Sequence, residues 1–355
     1  MTAEYPVDFV VLWVDGNDPA FVRERNRWAD SPVVPARFVQ TDELRYVLRS
    51  VEEYMPWVTR VVLVTNGQVP KWLNVNHPRL KILTHAEFMP ASALPTFNSC
   101  AIEMSVTKWG GLSEHFLLAN DDTFALRPVS REYFFPRQNR VNNYYAFYPY
   151  KKYEDTAYGR QLLVIRERLN NFCPGLHFPL EPTHNISAYL KKSLALGWTL
   201  FEKELSATVH SRFRQDSNMN FYLFACMAAV QGLACWKKRR LSRLGCSDGC
   251  CWELYQNFER EINKYRPRLA CLNDSENCGP QDRAKLATYL QKAFPLWQVA
   301  LKNHKGAQNA GAMRDVVQCE LRPFASGRAS REKSVCGARV PLSVKHPAKL
   351  RGVLN

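Results

Sequence analysis

Short apolar runs and amphipathic stretches alternate along the chain, and their periods predict its elements. Asp8–Val14 (DFVVLWV), Arg60–Thr65 (RVVLVT), Leu80–Leu83 and His115–Ala119 are apolar runs of strand length. The first closes at Asp15-Gly16-Asn17-Asp18-Pro19 and the second at Asn66-Gly67, both turn-forming sequences. Between them, TDELRYVLRSVEEYMPW puts Leu44, Val47, Leu48, Val51 and Met55 on one helical stripe, with Thr41 as N-cap and Pro56 at the exit. Pro70–Leu73 opens a further short element, and around Glu103 the residues Ile102, Val106 and Trp109 share helical spacing. Strand and helix thus alternate as far as Ala119, the pattern of an α/β domain whose mostly parallel sheet carries helices on both faces.

The second half is less regular. Residues 127–143 are loop-like and basic, and Tyr144–Tyr150 (YYAFYPY) reads as an aromatic strand. HNISAYLKKSLALGW, starting at His184, reads as a helix with Ile186, Tyr189, Leu190 and Leu194 on one side. Phe221–Val230 is an apolar core helix. Residues 232–268 are basic and Cys-rich, and we take them as a helical insertion. Ala270–Asp274 (ACLND) repeats the earlier design of an apolar run ending in Asn-Asp, and Gln281–Phe294 is an amphipathic helix.

Composition narrows the picture. With 46% hydrophobic and 23% charged residues, the 355-residue chain is that of a folded globular protein. Phe221–Val230, its longest apolar run, is well short of the roughly 18 residues that suggest a membrane span. The start, MTAEYPVDFVVLWVDG, lacks a basic segment and a cleavable signal, so a cytoplasmic location is expected. The net charge of +15 calls for an anionic partner. From residue 302 to the end, 11 Lys or Arg stand against 3 Asp or Glu, a net of +8, so more than half of the excess lies there. This divides the chain into a catalytic domain over 1–301 and a basic, flexible tail over 302–355. The tail suits peripheral attachment to an anionic membrane on its inner face, and equally a merely solubilising role. No nucleic-acid module appears, and no nucleic-acid partner is expected. The eleven cysteines, in a chain without a signal, read as reduced thiols rather than a disulfide framework. CSDGCC is a poor zinc spacing.

Candidate chemistry collects at Asn120-Asp121-Asp122, at the carboxyl end of a predicted strand, where open α/β sheets hold ligands. Such a pair also closes a strand as a plain solvated turn. Here Glu103 adds an acid from the preceding helix, and Asn273-Asp274 repeats the motif. Carboxylates so placed suit a hard cation shared with diphosphate oxygens. Arg45 and Arg49, four apart on one helix, are either a solvated face or phosphate contacts. His184 is either a surface residue or a base acting near neutral pH. There is no GxxxxGK[ST] loop, which argues against a P-loop kinase.

Four ordered blocks carry a resemblance: DFVVLWVDGNDP; the segment from TDELRYVLRSVEEYMPW through LPTFNSCAIE to GLSEHFLLANDD; His184 through HSRFRQDSNMNFYLF; and ACLNDS. Together, over about residues 7–300, they resemble the Stealth family of hexose-1-phosphate phosphotransferases. The resemblance implies a Rossmann/GT-A-like sheet and a UDP-sugar donor, most often UDP-N-acetylglucosamine. It implies a glycan or polysaccharide acceptor, Mg²⁺ or Mn²⁺, and transfer of sugar 1-phosphate with release of UMP. It places catalytic roles on Glu103, Asp122, His184 and Arg214, and metal binding on Asp121, Asp122 and Asp274. Candidate substrate contacts are Trp13, Asp15, Arg45, Arg49, Asn66 and Asn98. One position departs from the family pattern: an acid expected shortly after Arg214 is Asn218, with Asp216 two residues before it. The alternative reading is a GT-A-like glycosyltransferase, which attacks the anomeric carbon and releases UDP.

Overall fold

A computed structural model describes residues 5–29, 41–146, 153–174, 181–238, 241–242, 245–246, 250–253, 257–275 and 277–295. The elements are, in chain order, β1 (Val7–Leu12), α1 (Pro19–Trp28), α2 (Glu43–Tyr54), β2 (Arg60–Thr65), β3 (Leu80–Thr84), α3 (His85–Phe88) and α4 (Ser99–Val106). There follow β4 (His115–Asn120), β5 (Thr123–Ala125), α5 (Arg131–Phe134), β6 (Val141–Ala146), α6 (Ala157–Phe172), β7 (Glu181–Pro182) and β8 (Ser187–Leu190). Next come α7 (Lys191–Leu200), α8 (Glu202–Val209), α9 (Tyr222–Val230), β9 (Ala234–Lys238), β10 (Leu241–Ser242), β11 (Gly245–Cys246) and β12 (Cys250–Glu253). The last are α10 (Phe258–Tyr265), β13 (Leu269–Asn273) and α11 (Pro280–Ala293).

The central sheet has the order β3-β2-β1-β4-β8. Strands β1 to β4 are mutually parallel where they pair, and β8 runs antiparallel along β4. Every residue of β1 is buried, as expected of a strand covered on both faces. Its alternation decides which core each side chain enters. Phe9 and Val11, with Leu63, Leu117 and Ala119, pack under Leu44, Val47 and Val51 of α2 and Leu286 and Leu290 of α11. Val10 and Leu12, with Val62, Val64, Phe116 and Leu118, pack under α4, α6, α7 and α9 on the other face. The mostly parallel α/β sheet with helices on both faces is therefore what forms. From β1 the chain steps outward to β2 and β3, then returns to β4 on the opposite side of β1. That reversal opens a crevice at the carboxyl ends of β1 and β4, the place where such sheets bind ligands.

Several expectations are corrected. The stretch from His184 is not one helix: Ser187–Leu190 is a strand, and α7 begins directly at Lys191. Ala188, Tyr189 and Leu190 are buried by pairing with β4, a partner remote in sequence, and four residues of apolar stripe do not distinguish that from a helical turn. Within 232–268 the described residues form strands β9 to β12 and one helix, α10, rather than a helical unit: β9 extends a β7-β6-β9 sheet, and β12 pairs with β13. Asp42, not Thr41, takes the N-cap of α2, at φ 67. The Thr41 hydroxyl instead donates to the Glu43 carboxylate. Pro70–Leu73 forms only a turn. The aromatic strand lies earlier than expected, at Val141–Ala146, and residues 147–150 lie outside the described residues. So does the 302–355 tail. Cys100, Cys173, Cys226 and Cys278 are free thiols, and these four, Cys235 and Cys271 are all buried. Among the described residues no helix is long and apolar enough to cross a membrane.

Candidate active site

At the mouth of the crevice, β1 leads into Trp13 and Asp15 and β2 into Asn66-Gly67. The backbone N–H of Asp15 donates to Gln68 Oε1 at 2.8 Å, and Gln68 Nε2 donates back to the Asp15 carbonyl at 3.1 Å. Asp15 Oδ1 accepts from Asn17 N–H, and Asn66 Oδ1 from Gln68 N–H. Gly67 sits at φ 110, which favours glycine over any L-residue. These bonds fix two adjoining turns beside the crevice, with Asn66 exposed and Asp15 and Trp13 partly so.

The two Asn-Asp motifs meet. β5, which starts one residue after Asp122, pairs antiparallel with β13, setting Thr123 against Cys271. Leu272 N–H donates to the Asp122 carbonyl at 3.0 Å, so the start of one strand and the end of the other bring Asp121-Asp122 and Asn273-Asp274 to one edge. The Asp122 carboxylate also accepts from the buried Cys271 thiol at 3.3 Å. Asp274 is gripped by Arg283, whose Nε and guanidinium nitrogen donate to its two oxygens at 2.6 and 3.1 Å. Sequence reasoning overlooked Glu43. It is buried in the first turn of α2, and burial, with the nearby charge of Asp274 adding a little, raises its carboxyl above the ordinary range while bonds from Thr41 pull it back.

Among the described residues no three His, Cys, Asp or Glu side chains group closely enough to cage a metal ion. Mg²⁺ keeps water and substrate phosphate as most of its ligands and takes only one or two carboxylates from a protein. At this edge both Asp274 oxygens face Arg283, and the Asp122 carboxylate faces the Cys271 thiol.

The two helix arginines stand differently. Arg45 lies over the Trp72 ring and 3.7 Å from Asp42, still partly exposed. Arg49 donates to the Phe294 carbonyl at 3.2 Å and lies along Tyr46, and its Nε is buried without a partner. Arg49 therefore ties α2 to the end of α11.

The strand that replaced the expected helix is what places His184. Because β8 opposes β4 with Ser187 against Leu118, the chain just before it overhangs the carboxyl end of β4. His184 is exposed there, with Nε2 3.4 Å from the Asn120 amide nitrogen and its ring 6.1 Å from that of Tyr158.

Glu103 and Arg214 meet over α4. Arg214 donates to Ser99 Oγ, one turn before Glu103 on the same helical face. Burial pushes the Glu103 carboxyl up to about 7, and the Arg214 charge partly offsets this. Burial raises the Tyr189 hydroxyl of β8, and the nearby charge of Glu103 adds to it. Ser99 went unnoticed in the sequence, where the i, i+4 spacing from Glu103 was its signal.

Asn98 is fully buried and caps α4, its Oδ1 accepting from Cys100 N–H, while Nδ2 faces the carbonyls of Ser211 and Phe213 and Oδ1 of Asn218. A side chain so enclosed ties the start of α4 to the 211–218 loop rather than facing the crevice. Asp216 pairs on the surface with Arg160 at 2.7 Å and does not stand in for the position of Asn218, which is buried.

A mostly parallel sheet with its crevice at the strand ends, and carboxylates, a histidine and an arginine on the elements around it, makes this an α/β protein of a ligand-binding type. The family is narrower. Residues 5–31 match the Stealth protein conserved region 1 and residues 37–143 conserved region 2. The capsular polysaccharide phosphotransferase CpsJ of Streptococcus thermophilus is 41% identical over 212 residues, covering 56% of this chain and 83% of that protein. The exopolysaccharide phosphotransferase cps2G of Lactiplantibacillus plantarum is 36% identical over 328 residues, covering 82% and 93%. A capsular polysaccharide phosphotransferase of Neisseria meningitidis serogroup B is 29% identical over 291 residues, covering 77% and 78%. The chain belongs to the Stealth family of phosphotransferases and is a transferase. Among solved structures it overlaps the galactosyltransferase LgtC, crystallised with donor and acceptor sugar analogues. That overlap covers 81% of this chain and 96% of the other, at 12% identity and a TM-score of 0.42, and carries no functional argument.

Proposed function

We propose that the protein transfers a hexosamine 1-phosphate, N-acetylglucosamine 1-phosphate first among candidates, from a UDP-sugar to a hydroxyl of a glycan acceptor during surface-polysaccharide synthesis. What supports this reading is that Asp122, just before β5, and Asp274, just after β13, lie at one edge, and that His184, in the segment before β8, lies beside Asn120 at the end of β4. Glu103 and Arg214 meet over α4.

His184 Nε2 takes the proton of the acceptor hydroxyl. The freed oxygen attacks the phosphorus bonded to the sugar, a phosphodiester forms, and the bond to the uridylate phosphate breaks, so UMP leaves with the bonding electrons. The acceptor hydroxyl takes the place of the Asn120 amide nitrogen, which lies 3.4 Å from Nε2. Arg214 faces the charge that spreads over the phosphoryl oxygens, the main demand of such a transition state. Glu103 holds that guanidinium in turn. Asp122, with Asp121 and Asp274 beside it, would hold a Mg²⁺ or Mn²⁺ ion, which would supply neutralising charge to the diphosphate.

The product tests this reading. Incubation with UDP-N-acetylglucosamine, Mg²⁺ and a capsular oligosaccharide should give an acceptor carrying a phosphodiester resonance in its ³¹P spectrum. A sugar-extended acceptor without phosphorus would refute it in favour of a glycosyltransferase.

A further inference from the structure

Arg214 itself is exposed, so something other than burial must fix where its guanidinium points. The loop that carries it is held on three sides. On one side it is zipped to the segment before α4: Phe97 N–H donates to the Arg212 carbonyl at 2.9 Å, Arg212 Nε donates to the Pro95 carbonyl at 2.8 Å, and the Phe97 and Phe213 rings stack at 5.2 Å. On the second, Gln161 of α6, only 1% exposed, donates to the Gln215 carbonyl at 2.8 Å. From within, Asn218 Oδ1 accepts from Gln215 N–H and from Asn98 Nδ2, both at 2.8 Å. The two residues flanking Arg214 are therefore each tied, Phe213 through its carbonyl to Asn98 and Gln215 through its N–H to Asn218.

Resting on the reading that Arg214 serves the transferring phosphoryl group, we propose that the buried pair Asn98–Asn218 is the positioning device that sets Arg214 against Ser99 and Glu103. Asn98 reports to α4 through its cap and to the loop through its amide, so the helix bearing Glu103 and the loop bearing Arg214 share one hydrogen-bonded hub. The departure at Asn218 then has a simple account. Both donors it receives end on one oxygen, which an amide and a carboxylate both offer, so replacing an acid with asparagine keeps the loop geometry. Asp216, bonded to Arg160 at the surface, has no part in it.

The test reads geometry without needing substrate. Glu103 feels the charge of Arg214, so its side-chain carboxyl titration, followed by NMR on ¹³C-labelled protein, reports where the guanidinium is. Asn218→Leu should move the Glu103 midpoint upward by about one pH unit, the scale of losing a neighbouring opposite charge. It should expose Gln215 N–H to hydrogen exchange, whereas Asn218→Asp should keep that amide protected. Asn98→Ser supplies a second variant. Serine is as good an N-cap, so α4 stays capped while the amide donors vanish. In an Arg214→Gln background neither Asn218→Leu nor Asn98→Ser should shift Glu103 further, since the charge it reports is gone. An unmoved midpoint in the single variants, or an equal shift in both backgrounds, would overturn the proposal. If Glu103 moves as expected but the wild-type protein releases no UMP, the positioning device stands and the phosphotransfer reading fails.

Discussion

Glu103 offers the sharpest quantitative prediction, because its environment opposes the charge it carries. Burial raises its carboxyl from 4.5 in the unfolded chain to about 7 in the fold. At about 1.36 kcal/mol per pH unit this is at most about 3 kcal/mol, and solvent reaching one side of the partly exposed residue brings it nearer about 2 kcal/mol. The sign follows from proton binding. Between pH 4.5 and about 7 the folded state holds this proton and the unfolded state releases it, so stability falls as pH rises through that window. Below pH 4.5 both states are neutral and the penalty is absent; above about 7 both are ionised and it is complete. Glu103→Gln is neutral throughout. Its melting temperature should match the wild type near pH 4.5 and exceed it by about 4–6 °C at pH 8, taking about 2 °C per kcal/mol for a domain of this size. Transfer activity should fall at least tenfold in the same variant, the exchange of stability for function expected of an active-site charge. Calorimetry at both pH values is the assay. A difference in melting temperature that stays constant with pH would refute the burial argument.

Other consequences are as direct. His184→Gln, at an exposed position, should leave stability within about 0.5 kcal/mol by denaturant titration while lowering the transfer rate about 10²–10⁴-fold. Arg283→Leu strips both hydrogen bonds from Asp274 and should cost about 2 kcal/mol, read as a lower urea midpoint. Gly197→Ala in α7 would set a Cβ 2.7 Å from the Phe224 ring of α9, so overpacking by about 1–3 kcal/mol should appear in the melt with the donor affinity unaltered.

The parts of this molecule visible in the sequence are those with a local cause. β1, β2 and β4 are buried on both faces, and their apolar runs announce that without reference to any partner. The stripe of α2 and the paired Asn-Asp motifs are equally local, although only the β5–β13 pairing brings the two motifs together. What stayed hidden depends on contacts remote along the chain. β8 is a strand because β4 covers it; nothing separates Leu190 from Lys191 in the sequence, so one amphipathic helix was the natural reading. Nothing near Arg49 in the sequence shows that the Phe294 carbonyl, contributed from the far end of α11, takes its hydrogen bond. Nothing near Asn98 shows that Ser211, Phe213 and Asn218 surround its amide. Glu43 was passed over because a carboxylate in the first turn of a helix is ordinary, and its burial is what sets it apart. The resemblance gave Glu103 and Arg214 catalytic roles, and the structure adds that Arg214 bonds Ser99 on the face of α4 that carries Glu103.

The central claim is attack at phosphorus, and the nucleotide that leaves decides it. Purified protein should be given UDP-N-acetylglucosamine, Mg²⁺ and a capsular oligosaccharide acceptor, with His184→Ala as control, and the released nucleotide separated by anion-exchange chromatography. The account predicts acceptor-dependent UMP that the control does not produce. Release of UDP would contradict it, moving the reaction to the anomeric carbon and removing the role given to Arg214.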